Sequence, residues 1–112
     1  MRDRDTVILR KIVQYAEEIE GTIEKLALTQ DTFKHDYIAK NAISMCVLQI
    51  GELAGKLTDE FRAEYCEVPW RNYISIRNRA AHAYGSMDIE ILWKIAASNI
   101  PELYDFCKDL LR

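Results

Sequence analysis

A chain of 112 residues with 49% hydrophobic and 29% charged side chains is one globular domain, too short for two and too apolar to be disordered. Its four glycines and two prolines make up about 5% of positions against roughly 12% in average proteins, which excludes a sandwich or barrel with many tight turns and favours long helices. A net charge of −3 excludes a generally basic nucleic-acid binder, yet the window from Val68 to Met87 contains Arg71, Arg77 and Arg79 and no acid, so a patch of +3 sits on a remainder of −6.

Ile8, Ile12, Tyr15, Ile19, Ile23 and Leu26 recur at helical spacing, with Glu17, Glu18, Glu20 and Glu24 outside the stripe, and Asp5 or Thr6 is placed to cap this first helix. After the polar break Thr29-Gln30-Asp31-Thr32, with Asp31 or Thr32 as cap, a second helix is predicted from about Phe33 to Leu57. Between Ala42 and Ala54 it is apolar nearly all round (Ile43, Met45, Cys46, Val47, Leu48, Ile50, Leu53), so it needs neighbours on several sides. A small bundle offers few, and a second copy of the chain is expected to cover one side. Asn41, Gln49, Glu52 and Lys56 form a polar strip about 80° wide on this helix. It is either an exposed strip carrying a Glu52–Lys56 i,i+4 ion pair or the lining of a pocket.

Thr58 to Tyr65 reads as a short helical turn. Pro69 suits the first position of a third long helix carrying Trp70, Tyr73, Ile74, Ile76 and Ala80 and ending near Gly85. Asp88 can cap a last helix over Ile89–Leu111, with a stripe of Leu92, Ile95, Ala96, Ile100, Leu103, Cys107 and Leu110 that Pro101 should kink or split. The predicted architecture is an all-α, up-down bundle of four or five helices. Trp70 and Trp93 are expected as core anchors.

Cys46, Cys66 and Cys107 form no CxxC pair and the histidines are only His35 and His82, so no structural zinc site, and no other cofactor, is expected. Charges interrupt the first twenty residues too often for a signal peptide, and no stretch approaches the ~18 apolar residues of a membrane span. The expectation is a soluble cytoplasmic protein with reduced thiols packed as small hydrophobes.

The segment from Pro69 to Tyr84 concentrates the chemistry. Arg offers a planar fork of donors to phosphate oxygens, His moves protons near neutral pH, and Tyr supplies a hydroxyl. Such a set suits phosphodiester cleavage without a metal, with Arg stabilising the phosphorane charge and His activating a ribose 2′-hydroxyl. Taking Arg77 as 0° on a helical wheel, Asn78 falls at about 100°, His82 at about 140° and Tyr84 at about 340°. One straight helix therefore cannot aim all four at one point. Either the helix ends near His82, or two copies pool their side chains across a dimer. The plain alternatives are a histidine serving a helix C-terminus and arginines that are ordinary surface charges.

The run Arg77-Asn78-Arg79-Ala80-Ala81-His82-Ala83-Tyr84 matches the R-x(4–6)-H-x-Y signature of HEPN-domain ribonucleases. With Gln49-Ile50-Gly51-Glu52 in the second helix, Pro69-Trp70 before the motif and Asp88 to Trp93 after it, the chain resembles the HepT-like toxins over its whole length, as a single domain of residues 1–112. The resemblance implies a helical homodimer whose two motifs share a cleft, metal-independent RNA cleavage that arrests growth, and a minimal nucleotidyltransferase antitoxin of the MntA type. Carried over by position, Arg77 and His82 are the catalytic pair and Asn78 the polar residue after the motif arginine. Tyr84 is the supporting hydroxyl and the acceptor of AMP from the antitoxin, a modification that would place a negative phosphate beside Arg77. Arg71 and Arg79 are candidate RNA contacts. Two other classes fit the same residues: a non-catalytic nucleotide-binding or scaffold partner of a nucleotidyltransferase, consistent with the acidic net charge, and a plain structural dimer module.

Overall fold

The computed structural model describes residues 1–82 and 88–112, with side chains for residues 1–77 and 88–112. The protein is all-helical, and no strand occurs among the described residues. Its elements are α1 (Asp3–Lys25), α2 (Gln30–His35), α3 (Tyr37–Lys56), α4 (Asp59–Glu64), α5 (Trp70–His82), α6 (Ile89–Lys94), a π-helical segment (Ile95–Asn99) and α7 (Ile100–Leu111). These segments outnumber the four or five expected because the predicted second helix is divided into α2 and α3 and the last is divided by the π turn. None is long and apolar enough to cross a membrane among the described residues.

α3 is the central rod, packed on α1 along one side and on α5 along another, while α7 covers a further face of α1 and α2 bridges α3 to α6. The core is the union of their apolar stripes. Leu9, Ile12 and Ile19 of α1, Ile43 and Ile50 of α3, Leu92 of α6, and Ile100 and Cys107 of α7 are fully buried. Each large side chain of this kind contributes about 1.5–3 kcal/mol by leaving water. Burial also pushes the Cys107 thiol up to about 12, so it serves as a core hydrophobe; Cys46 is half-buried and Cys66 is exposed, so the expectation of packed thiols fails for Cys66, which lies beyond the end of α4. Phe33 is fully buried against Trp93, with ring centroids 5.2 Å apart.

Three helix boundaries differ from those expected. The single helix predicted over Phe33–Leu57 breaks at Asp36, whose backbone (φ −106°, ψ 97°) is extended and whose carboxylate accepts the Ala39 N–H at 3.0 Å to start α3 afresh. α2 is capped by Thr29 rather than by Asp31 or Thr32, with the Thr32 hydroxyl returning the bond as the other half of a capping box. α1 starts at Asp3 with no side-chain cap, so neither Asp5 nor Thr6 caps it. Asp5 is instead buried, at 1% exposure, and accepts from the backbone N–H and the hydroxyl of Thr58 at 2.9 and 2.8 Å. Thr58 in turn caps α4, so one carboxylate fastens the start of α1 to the corner between α3 and α4.

α1 closes with Ala27 in the left-handed region (φ 49°), the Leu28 N–H donating to the Ile23 carbonyl and the Ala27 N–H to the Glu24 carbonyl. This is a Schellman closure with alanine where glycine is usual. The expected break at Pro101 is present in a specific form. The proline lies in the first turn of α7, directly after the π segment, where widened i→i+5 bonding accommodates its missing N–H.

Candidate active site in the groove between α3 and α5

α5 enters the fold through an aromatic anchor. Trp70 follows Pro69, is 4% exposed, packs against Phe61 and Phe106, and donates its indole N–H to the Tyr65 carbonyl at 3.1 Å. One turn on, Tyr73 is buried and its hydroxyl donates to the Asn99 carbonyl at 3.2 Å, tying α5 to the end of the π segment. Burial, and after it the charges of Glu102 and Cys107, push this hydroxyl up to about 12, so it is a fixed donor. Trp70 and Tyr73 thereby set the rotation of α5, and the same face next presents Arg77.

Arg77 meets two consecutive residues of α3. A Cβ on Gly51 would lie 2.5 Å from the Tyr73 carbonyl oxygen and 2.7 Å from the Arg77 Cβ, closer than real contacts allow, so only glycine lets α5 approach this near. Beside it, the Glu52 carboxylate accepts the Arg77 Nε–H at 2.6 Å. Both side chains are half-exposed, at 38% and 39%, so the ion pair lies at the mouth of the groove. The Glu52–Lys56 pair is absent; Glu52 looks across to α5 instead. Asn41 and Arg77 each make a further interaction.

The backbone of α5 is helical through His82, which places His82 about 140° around the axis from Arg77. The side chains of Asn78, Arg79 and His82, and the whole of Tyr84 and of the Gly85 cap, lie outside the described residues. Of the candidate site residues, the structure therefore places Arg77, in the groove, and Arg71, exposed on the first turn of α5. Arg71 lines a cleft of about 500 Å³ together with Arg62, Cys66 and Trp70. Arg62 also pairs with Asp59 at 2.6 Å. No group of three or more His, Cys, Asp or Glu able to hold a metal ion occurs among the described residues.

Sequence reasoning missed the role of Gly51, noted only as part of a family-like run, and the partner of Glu52, which it placed on a polar strip and offered to Lys56 or to a pocket. The available signal was a glycine in a helix interior, a position that costs about 1 kcal/mol relative to alanine and so calls for a close neighbour. Arg62 was missed because its sign is masked locally by Asp59, Glu60 and Glu64.

The fold is that of a small all-helical domain, and comparison with known proteins supplies the family. A family model described as ribonuclease HepT-like matches residues 12–110, and the chain belongs to this family. It is 29% identical over 94 residues to a protein named probable ribonuclease HepT from Thermococcus cleftensis, covering 80% of this chain and 86% of that one. It is 27% identical over 89 residues to a Methanocaldococcus jannaschii protein named provisionally as an RNase, covering 76% and 82% of the two chains. A similarly named protein of Caldanaerobacter subterraneus is 29% identical over 97 residues, covering 86% and 87%. No solved structure matches the chain significantly.

Proposed function

We propose that this protein is a metal-independent endoribonuclease toxin. The observation that carries the reading is Arg77, presented by the anchored helix α5 at a half-exposed groove mouth within a chain of the HepT-like family. In this reading the Arg77 guanidinium receives the scissile phosphate and stabilises the charge that grows on it. His82 takes the proton of the ribose 2′-hydroxyl. The 2′-oxygen bonds to phosphorus, the bond to the 5′-oxygen breaks, and that oxygen leaves with a proton returned by the histidine. Asn78 and Tyr84 support the site, and Arg71, Arg79 and Arg62 contact the RNA backbone.

The active unit is a homodimer in the cytoplasm. Supporting this, α3 leaves Tyr37, Ile38 and Met45 exposed at 70%, 64% and 51%, an apolar display that a second copy would cover. The antitoxin is a minimal nucleotidyltransferase that transfers AMP to Tyr84.

Purified protein should cut RNA in EDTA, with Arg77→Ala and His82→Ala each lowering the rate about 10³-fold, on the order of 4 kcal/mol, and leaving the helical spectrum intact. Full activity in both variants would overturn the assignment. Co-expression with the nucleotidyltransferase should add AMP mass that Tyr84→Phe abolishes. The net charge of −3 favours one other reading, a non-catalytic scaffold for a nucleotidyltransferase, in which Arg77→Ala weakens partner binding and no cleavage occurs at any protein concentration.

A further inference from the structure

The catalytic scheme gives Glu52 no task, yet its geometry is specific. Its carboxylate takes the Arg77 Nε–H at 2.6 Å across a separation of 25 residues. It does so rather than pair with Lys56, which is one turn away on its own helix. The residue before it, Gly51, brings α3 to the Cβ of the same arginine. Two consecutive positions of α3 therefore define where the arginine side chain starts and where its head is held.

We propose that Glu52 is a positioning residue for Arg77, an inference that rests on the ribonuclease reading. The guanidinium is planar and carries five N–H donors in a rigid fork. A carboxylate bound at Nε fixes the plane in which the other four lie, and so fixes how the fork meets a phosphate. Without it, the guanidinium loses the bond that fixes its plane at Nε, and the fork meets the phosphate in the productive orientation less of the time. The same carboxylate places a negative charge beside any phosphate that Arg77 receives, which weakens RNA binding while improving orientation. Half-exposure keeps that penalty modest by solvent screening. The signature is a pair of changes in one direction: loss of Glu52 lowers kcat and also lowers KM, whereas a merely structural ion pair would lower melting temperature and leave both constants of the folded enzyme unchanged.

The test is steady-state cleavage of a mixed-sequence single-stranded RNA oligonucleotide in EDTA by wild type, Glu52→Ala and Glu52→Gln, with the Arg77 Nε–Hε resonance followed by ¹⁵N NMR. Glu52→Ala should lower kcat about 30-fold and KM about twofold, and should lose the protected Hε signal. Glu52→Gln retains an oxygen that accepts from Nε and should keep the signal and most of kcat, while its KM falls with the lost charge. If the alanine variant does not fold, the glutamine variant's KM still decides. Wild-type kcat and KM in both variants would overturn the proposal, as would an unprotected Hε in wild type. If wild type itself cuts no RNA, the ribonuclease reading has failed and the positioning role falls with it, an outcome distinct from active enzyme with active variants.

Discussion

Asp5 and Glu52 both tie helices together through a carboxylate, and they do so under opposite conditions. Asp5 is sealed at the corner of α1, α3 and α4, with both bonds going to one threonine and almost no contact with solvent. Glu52 sits at the mouth of the α3–α5 groove with more than a third of its surface open, bonded to an arginine. A buried carboxylate must be fully satisfied and cannot exchange partners without cost, so its value is structural. A half-exposed ion pair contributes little to stability, typically about 0–1 kcal/mol, and in exchange leaves its arginine within reach of an incoming anion. Degree of burial separates a fastener from a site, although the exposed pair makes the shorter bond.

The sharpest way to break the corner is Asp5→Ala. It strands the Thr58 N–H and removes charge-assisted bonds, so unfolding free energy should fall by about 3 kcal/mol in urea titration, while the folded fraction keeps its RNA-cleavage constants. A stability loss below about 1 kcal/mol would mean that water replaces the carboxylate. In the groove, Gly51→Ala forces a methyl against the Tyr73 carbonyl and the Arg77 stem. Overpacking of this kind costs about 1–3 kcal/mol, and because α5 must move, activity should fall together with stability. Loss of stability with unchanged kcat would show that the close approach serves packing alone. Smallest is Ala27→Gly, which relieves a left-handed alanine far from both carboxylates. Stability should rise by about 0.5–1 kcal/mol with no change in activity, and no rise would show that the Schellman closure carries no strain.

Much of this arrangement was legible from the sequence because it is local. The stripes of α1 and α7, the anchoring by Trp70, the short helix after Thr58 and the cap at Asp88 all follow from spacing and cap chemistry within a few residues. The failures share a cause as well. Asp5 occupies a first helical turn and reads as a cap, but its partner lies 53 residues away. Glu52 has a favourable local partner in Lys56, and only the tertiary approach permitted by Gly51 reveals the better one. The break at Asp36 was hidden because the stretch from Ala42 to Ala54 is apolar nearly all round and so has no single stripe whose phase could be lost, whereas the break itself is a backbone event at a residue with a good capping side chain. For the candidate site, the motif run identified α5, but how Arg77 is held depends on α3 and could not be read from α5 alone.

The π segment before Pro101 has a consequence for how one helix serves two neighbours. A π turn accommodates one extra residue, which advances the helical phase by about 100°. Upstream of it, Leu92 and Trp93 belong to the surface shared with Phe33; downstream, Ile100, Leu103 and Cys107 turn inward beside α1. In an unbroken α-helix these residues would share one face about 100° wide; the extra residue turns the two halves of that stripe apart, the first toward α2 and the second toward α1. The inserted residue acts as a phase shifter: the face that the helix presents to its neighbours changes between its two halves without a loop.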